Sequence, residues 1–230
     1  IAVKNAGGTP VIADVDPERG ILTRATCEAV LNERTAAIVP VHIGGILWRE
    51  TLLLAEQFKD FPIVEDAAQA PFTSLEGKAV GQLGLGAALS FSTTKVMTTG
   101  EGGAVLCPEE ETFRKLRSLR KFGHQEADPL LHDQPGANFK MSEFQALLGH
   151  LELKRVHDRI SKRLAISERY QKNLSGTSWR TVVPEAPEAS SYYKQMVLSP
   201  LPVKEVRAHL AKSNIALTGS VYEVPLHRQP

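Results

Sequence analysis

An α/β fold built on a mostly parallel sheet is the architecture that the sequence predicts, and three observations carry it. First, residues 36–43 are a nearly continuous apolar run interrupted by Pro40, as in a strand buried in a parallel sheet. Apolar residues then recur at helical spacing through Leu52, Leu54, Ala55 and Phe58, and another apolar run follows at residues 62–65. Such a sequence makes a β-α-β unit, whose crossover is right-handed. Second, two short apolar runs, 87–91 and 104–107, flank a threonine-rich loop that holds one lysine, Lys95. Third, the run at 62–65 closes on a carboxylate pair, Glu65-Asp66, followed by small residues. An aspartate at the carboxyl end of a parallel strand lies on the rim where open α/β sheets bind ligands.

Taken in order, residues 9–16 predict a strand that Asp16-Pro17 stops. Thr23 is placed as the N-cap of a helix to about Asn32, with Ala25, Ala29 and Val30 toward the core. After the β-α-β unit, residues 76–86 form a glycine-rich connector. Its Gly81, Gly84 and Gly86 lack the G-x-G-x-x-G order, which disfavours a nucleotide-binding oxidoreductase. Glu109, Glu110 and Glu111 open the next helix and Lys115, Arg117, Arg120 and Lys121 close it, complementing the helix dipole. Residues 123–136 have no clear periodicity, and a connection of that length is often functional.

Ser142 caps a long helix to about Leu174, with Phe144, Leu147, Leu148, Leu151, Leu153, Val156, Ile160, Leu164 and Ile166 as its apolar residues. A link at 175–177 leads to a strand at 193–198, a helix at 203–213 and a strand at 215–221. The expected organisation is a large domain over 1–141, a linking helix over 142–175 and the start of a small C-terminal α/β domain over 176–230.

With 27 basic and 26 acidic residues the net charge is +1, so no strong field points to nucleic acid or an anionic membrane. No run approaches the roughly 18 apolar residues of a membrane span. Cys27 and Cys107 have no motif spacing and suit free thiols in a reducing compartment, with the cytoplasm as the expected location.

A lysine just past a buried strand end is a place for a partly desolvated amine that acts as a nucleophile. Pyridoxal phosphate needs such a lysine, and an acid that keeps its ring nitrogen protonated. Lys95 and Asp66 supply that pair from two strand ends. Each residue also has a structural reading: Lys95 as a solvated charge, Asp66 as a helix cap, Ser90 as a locally bonded hydroxyl, Asn138 as a turn residue. His42, at the end of its run, is either satisfied by nearby backbone or lines a pocket.

In this context the chain resembles the pyridoxal-phosphate aminotransferases of the DegT/StrS type, which act on nucleotide-linked keto sugars. The matching blocks are P-V-H-I-x-G from Pro40, V-E-D-A-A-Q-A from Val64, and S-F-S-T-T-K with T-G-E-G-G-A from Ser90 to Ala104. N-F-K-M-S-E-F-Q-A from Asn138 and V-P-L-H-x-Q-P from Val224 follow in the family's order. The resemblance implies a three-layer sandwich, the large domain of a fold type I pyridoxal-phosphate transferase, with part of a small C-terminal domain.

It also implies roles. Lys95 would bond the cofactor and move the proton of amino transfer. Asp66 would pair with the ring nitrogen, Gln69 would pack against or hydrogen-bond the ring, and Ser90 would hold the phosphate. Asn138 matches a position that reaches the phosphate from a neighbouring subunit, which implies a homodimer with a shared active site. His124 lies in a region near the substrate, and His42 and His227 join it as substrate-side candidates. The implied substrates are a nucleotide sugar and an amino donor, expected to be glutamate, for a surface polysaccharide or glycosylated metabolite.

Some relatives are sugar dehydratases with a histidine in place of the lysine; Lys95 disfavours that alternative. Leu85 stands where relatives often carry an acid. The phosphate-binding Gly-Thr/Ser turn and the ring-stacking aromatic of relatives have no match from Ile1 onward, and relatives continue past Pro230. A chain missing both ends is therefore the expectation, and a non-catalytic homologue with weak cofactor binding is the second reading.

Overall fold

The structure, a computed structural model, describes residues 1–217 and 224–228. Its helices are α1 (Ala2–Asn5), α2 (Arg24–Glu28), α3 (Arg49–Gln57), α4 (Glu110–Arg120), α5 (Glu143–Leu153), α6 (Val156–Leu174) and α7 (Val203–Ala211). The strands are β1 (Val64–Asp66), β2 (Ser74–Leu75), β3 (Lys78–Ala79), β4 (Gly86–Ser90), β5 (Gly103–Leu106), β6 (Arg180–Thr181) and β7 (Val197–Leu198).

The main sheet has the order β1-β4-β5, with β1 and β4 parallel and β5 antiparallel to β4. Residues 38–42 run beside β1 in the same direction, through bridges Ile38 to Ile63 and Val41 to Asp66. Pro40 has no N–H to give, but its carbonyl still accepts from the Asp66 amide at 2.9 Å. The predicted β-α-β unit is therefore present, with α3 as its helix, although its first strand makes only those bridges.

α3 covers one face of the sheet. Leu52, Ala67, Leu75, Val80, Leu83 and Ala87 form one buried cluster beneath it, and Cys27, Ile38, Leu54, Phe58 and Ile63 form another. Strand alternation sends Val39, Val41 and Val64 to the opposite face, which is left open. No described helix is long and apolar enough to cross a membrane.

Four local expectations differ from what is seen. Residues 9–16 are not a strand: among the described residues no neighbouring strand supplies the ladder that extended backbone requires. The stop does form, because the Asp16 carboxylate accepts from the amides of Glu18 and Arg19. The Arg19 side chain holds the Asp16 carboxyl below its ordinary value.

α2 starts at Thr23 with a capping box to Thr26, but it ends at Glu28 and turns Cys27, not Ala25 or Ala29, into the core. Burial pushes the Cys27 thiol above its ordinary pKa.

The single helix expected over 142–174 is two, α5 and α6, joined through Lys154 and Arg155. The Arg155 amide closes a tight turn onto the Glu152 carbonyl at 3.0 Å. This break lets the Arg159 guanidinium fork onto the buried Glu152 carboxylate, and it directs Val156 inward.

At the C-terminal end, the expected strand at 193–198 shortens to β7, paired with β6. Of the expected strand at 215–221, residues 215–217 are irregular and the rest lie outside the described residues.

Candidate active site

Parallel strands end on the same edge, so residues 38–42, β1 and β4 deliver their carboxyl ends to one rim. Asp66 stands there, in register with Ala88 and partly exposed. Its Oδ1 accepts from the Ala68 amide at 3.1 Å, which turns the chain away from the strand. Gln69 follows: its Oε1 accepts from the Gly44 amide at 2.8 Å. Gly44 and Gly45 adopt φ of 70° and 89°, so glycine suits this turn beside Gln69. Ser90 ends β4, and its Oγ accepts a long bond of 3.4 Å from the Ser92 amide.

The threonine-rich loop after β4 is anchored at both ends. Phe91 donates its amide to Gly102 O at 2.8 Å and accepts at its carbonyl from the Thr99 amide at 2.9 Å and the Thr98 hydroxyl at 3.1 Å. Val96 and Met97 are buried with Phe91, Val156 and Tyr193. Lys95 immediately precedes these two anchors, so its backbone is fixed while its side chain is half-buried. Its Nζ lies 4.8 Å from the centroid of the Tyr193 ring. An open hollow beside it is lined by Lys95, Val96, Arg159, Lys162, Arg163 and Ile166.

The other predicted residues lie elsewhere. His42 is buried beneath the rim, 1% exposed, with its Nε2 2.9 Å from Glu65 Oε2. Its partner is thus a carboxylate. Glu65 Oε1 also accepts from the Gly81 and Leu83 amides at 2.8 and 3.2 Å. Asn138 is exposed and bridges Lys121. His124 packs edge-on to His132, with ring centroids 4.5 Å apart, in a loop closed by an antiparallel bridge between the two. Desolvation first, then the charges of His132, Lys121 and Lys140, lowers the His124 pKa. His227 is exposed on a short 3-10 turn, Leu226–Arg228.

The sequence reading missed the strap at residues 189–194. Ser191 Oγ donates to Gln69 O at 2.7 Å, and the Ser191 amide donates to Gly45 O at 2.9 Å. Tyr193 then reaches Lys95, so the strap joins the Gln69 turn to the lysine loop. Residues far apart in the chain carry no spacing signal for such a contact; the Ser-Ser-Tyr-Tyr run was its only trace.

A carboxylate and a hydroxyl at neighbouring strand ends, with an amine in the loop after the second, suit the ring nitrogen, phosphate and aldehyde of pyridoxal phosphate. The donor set of Lys95, Asp66 and Ser90 matches that group chemically. Among the described residues no cluster of metal ligands competes with it.

Known proteins resemble this chain in sequence and in fold. The family model of the DegT/DnrJ/EryC1/StrS aminotransferase family matches residues 1–230. The chain is 33% identical over 184 residues to GDP-perosamine synthase of Caulobacter vibrioides, covering 80% of this chain and 50% of that protein. It is 36% identical over 178 residues to dTDP-3-amino-3,4,6-trideoxy-alpha-D-glucose transaminase of Micromonospora megalomicea subsp. nigra, covering 76% and 47%. Its fold is similar to the crystal structure of S. venezuelae DesV, with a TM-score of 0.88, 30% identity, and coverage of 100% of this chain and 62% of that one. The chain spans about half the length of the first curated relatives that it matches.

Proposed function

The chain belongs to the DegT/DnrJ/EryC1/StrS aminotransferase family, and from that premise we propose that it forms the catalytic core of a pyridoxal-phosphate-dependent sugar aminotransferase. The amino group passes from an amino acid, with glutamate as the expected donor, to a nucleotide-linked keto sugar. The names of the two curated relatives, each a nucleotide-sugar enzyme, support this substrate class. The observation that carries the reading is Asp66 and Ser90 at the ends of the adjacent parallel strands β1 and β4, with Lys95 in the anchored loop that follows β4.

Bound pyridoxal phosphate supplies an electron sink through its protonated ring. Asp66 keeps the ring nitrogen protonated with the carboxylate oxygen that the Ala68 amide does not occupy. Gln69, locked to Gly44 by its side chain, presents a fixed surface beside that acid. Ser90 Oγ, weakly engaged by Ser92, is available to a phosphate oxygen. Lys95 Nζ would hold the cofactor at its aldehyde and would be the group that takes up and returns the proton of amino transfer. Around the hollow beside Lys95, Arg159 and Lys162 are paired with Glu152 and Asp158, which leaves Lys95 and Arg163 to favour an anionic substrate such as a sugar diphosphate.

We assign Asn138 to the phosphate of a partner subunit in a homodimer, and His124 and His227 to the substrate side. His42, expected as a substrate-side candidate, is instead buried on Glu65 and supports the rim from beneath. The free thiols Cys27 and Cys107 support a reducing cytoplasm as the compartment.

The test adds pyridoxal phosphate to the protein and to Lys95→Ala. The expected result is an absorbance band at roughly 410–430 nm that borohydride removes and the variant lacks. Mass spectrometry then finds the reduced cofactor on the peptide holding Lys95, and glutamate with a keto-sugar nucleotide gives the amino sugar. Binding without fixation on Lys95 would sink the assignment of that lysine. Fixation without amino transfer would favour a homologue that keeps the cofactor but not the reaction.

A further inference from the structure

Tyr192 is a bulky residue held at φ 53°, in the left-handed region that side chains disfavour. Such a conformation persists only where its surroundings over-determine it, and it gathers at functional sites. Here the Tyr192 amide donates to Ser190 Oγ at 2.9 Å, and Arg163 Nη1 donates to the carbonyls of Tyr192 and Tyr193 at 3.1 Å each. Ser191 ties the same strap to Gln69. What these bonds aim is the Tyr193 ring, itself 7% exposed.

Two lysines meet that ring. Lys95 Nζ is 4.8 Å and Lys194 Nζ 5.1 Å from its centroid, both within cation-π range. The Tyr193 hydroxyl lies 3.3 Å from Thr94 Oγ1, next to the lysine. An aromatic face attracts an ammonium and costs little entropy, since the ring is already fixed.

We propose that Tyr193 is the positioning residue for Lys95: its ring docks the amine beside the like charge of Lys194, and so sets how readily Lys95 reacts. The proposal deepens the reading of Lys95 as the reactive amine. A docked side chain is withheld from reagents in solution and released toward the rim when a ligand engages it.

The test is amine labelling with a water-soluble acylating reagent, quantified by peptide mass spectrometry relative to the exposed Lys172. Tyr193→Leu is expected to raise Lys95 labelling roughly three- to tenfold, while Tyr193→Phe, which keeps the ring, stays within about twofold of wild type. Lys194→Gln removes a like charge beside the ring, which strengthens the docking of Lys95 and lowers its labelling. Unchanged labelling in Tyr193→Leu and Lys194→Gln overturns the proposal. A rise in Tyr193→Phe equal to that in Tyr193→Leu also overturns it, by assigning the effect to the hydroxyl. Circular dichroism verifies that each variant folds; where Tyr193→Leu does not, the surface change Lys194→Gln decides alone. Borohydride fixation of pyridoxal phosphate on Lys95 is scored separately. If fixation fails while labelling responds as expected, the cofactor role falls and the positioning role stands.

Discussion

Glu65 shows how one side chain can organise a site that it does not face. Its carboxylate, fully buried, accepts from His42 and from the Gly81 and Leu83 amides, so it joins the end of residues 38–42 to the connector before β4. Asp66 next to it points to the rim because strand neighbours alternate sides. Glu65→Leu keeps the bulk but leaves those donors buried without an acceptor, each worth about 1–3 kcal/mol. The expected outcome in urea unfolding is a loss of about 3–5 kcal/mol, the range for breaking a buried pair by removing one partner. Glu65→Gln keeps an acceptor for the two amides and is expected to lose less. Equal stability of Glu65→Leu and wild type would refute the keystone role. Asp66 was legible as the acid at the rim from its place at the strand end, whereas the role of Glu65 as a buried acceptor shows only in its burial and its partners.

At the scale of elements, α5 is tied to the lysine loop through its first turn. Ser142 Oγ accepts from the Gln145 amide at 3.3 Å, and Gln145 Oε1 accepts back from the Ser142 amide at 2.9 Å. Gln145 Nε2 then donates to Glu101 O at 2.7 Å, in the turn that closes the loop. Ser142→Ala is expected to cost about 1 kcal/mol from the lost cap. Gln145→Ala removes both the return bond and the tether, and is expected to accelerate backbone amide exchange over residues 98–103 while Ser142→Ala alone does so less. Identical exchange in the two variants would mean that the tether is idle. The cap was legible in S-E-F-Q, whereas the break at Lys154 was not, because helical spacing continues across it. Only the pull of Arg159 on Glu152 and the burial of Val156 mark that point.

The whole molecule presents more apolar surface than its sheet and helices cover. The sheet face with Val39, Val41 and Val64 is open, and on α5 Phe144 is 87% and Leu147 59% exposed. Large exposed apolar patches mark contact surfaces. The periodicity named these as the apolar residues of the helix, and among the described residues little covers them. Under the homodimer proposal the α5 face meets a second copy. Leu147→Lys with Leu151→Lys is then expected to keep the far-ultraviolet spectrum and shift sedimentation equilibrium from dimer to monomer. Surface changes of this kind alter monomer stability by only about 0.5 kcal/mol each. A wild type that sediments as a monomer would remove the homodimer from the account.

What the sequence determined by itself was local or ordered along the chain. It held the β-α-β unit, the caps at Thr23 and Ser142, the Asp-Pro stop, and the ordered blocks that carry Asp66, Gln69, Ser90 and Lys95. These are legible because periodicity, capping and turn chemistry act over a few residues. The tertiary structure alone decided that residues 9–16 find no partner strand among the described residues, that Cys27 and not Ala25 turns inward, and that His42 serves Glu65. It alone brought Tyr193 to Lys95. Such outcomes depend on which distant groups share a buried volume, and a contact between strap and loop leaves no period in the sequence to read.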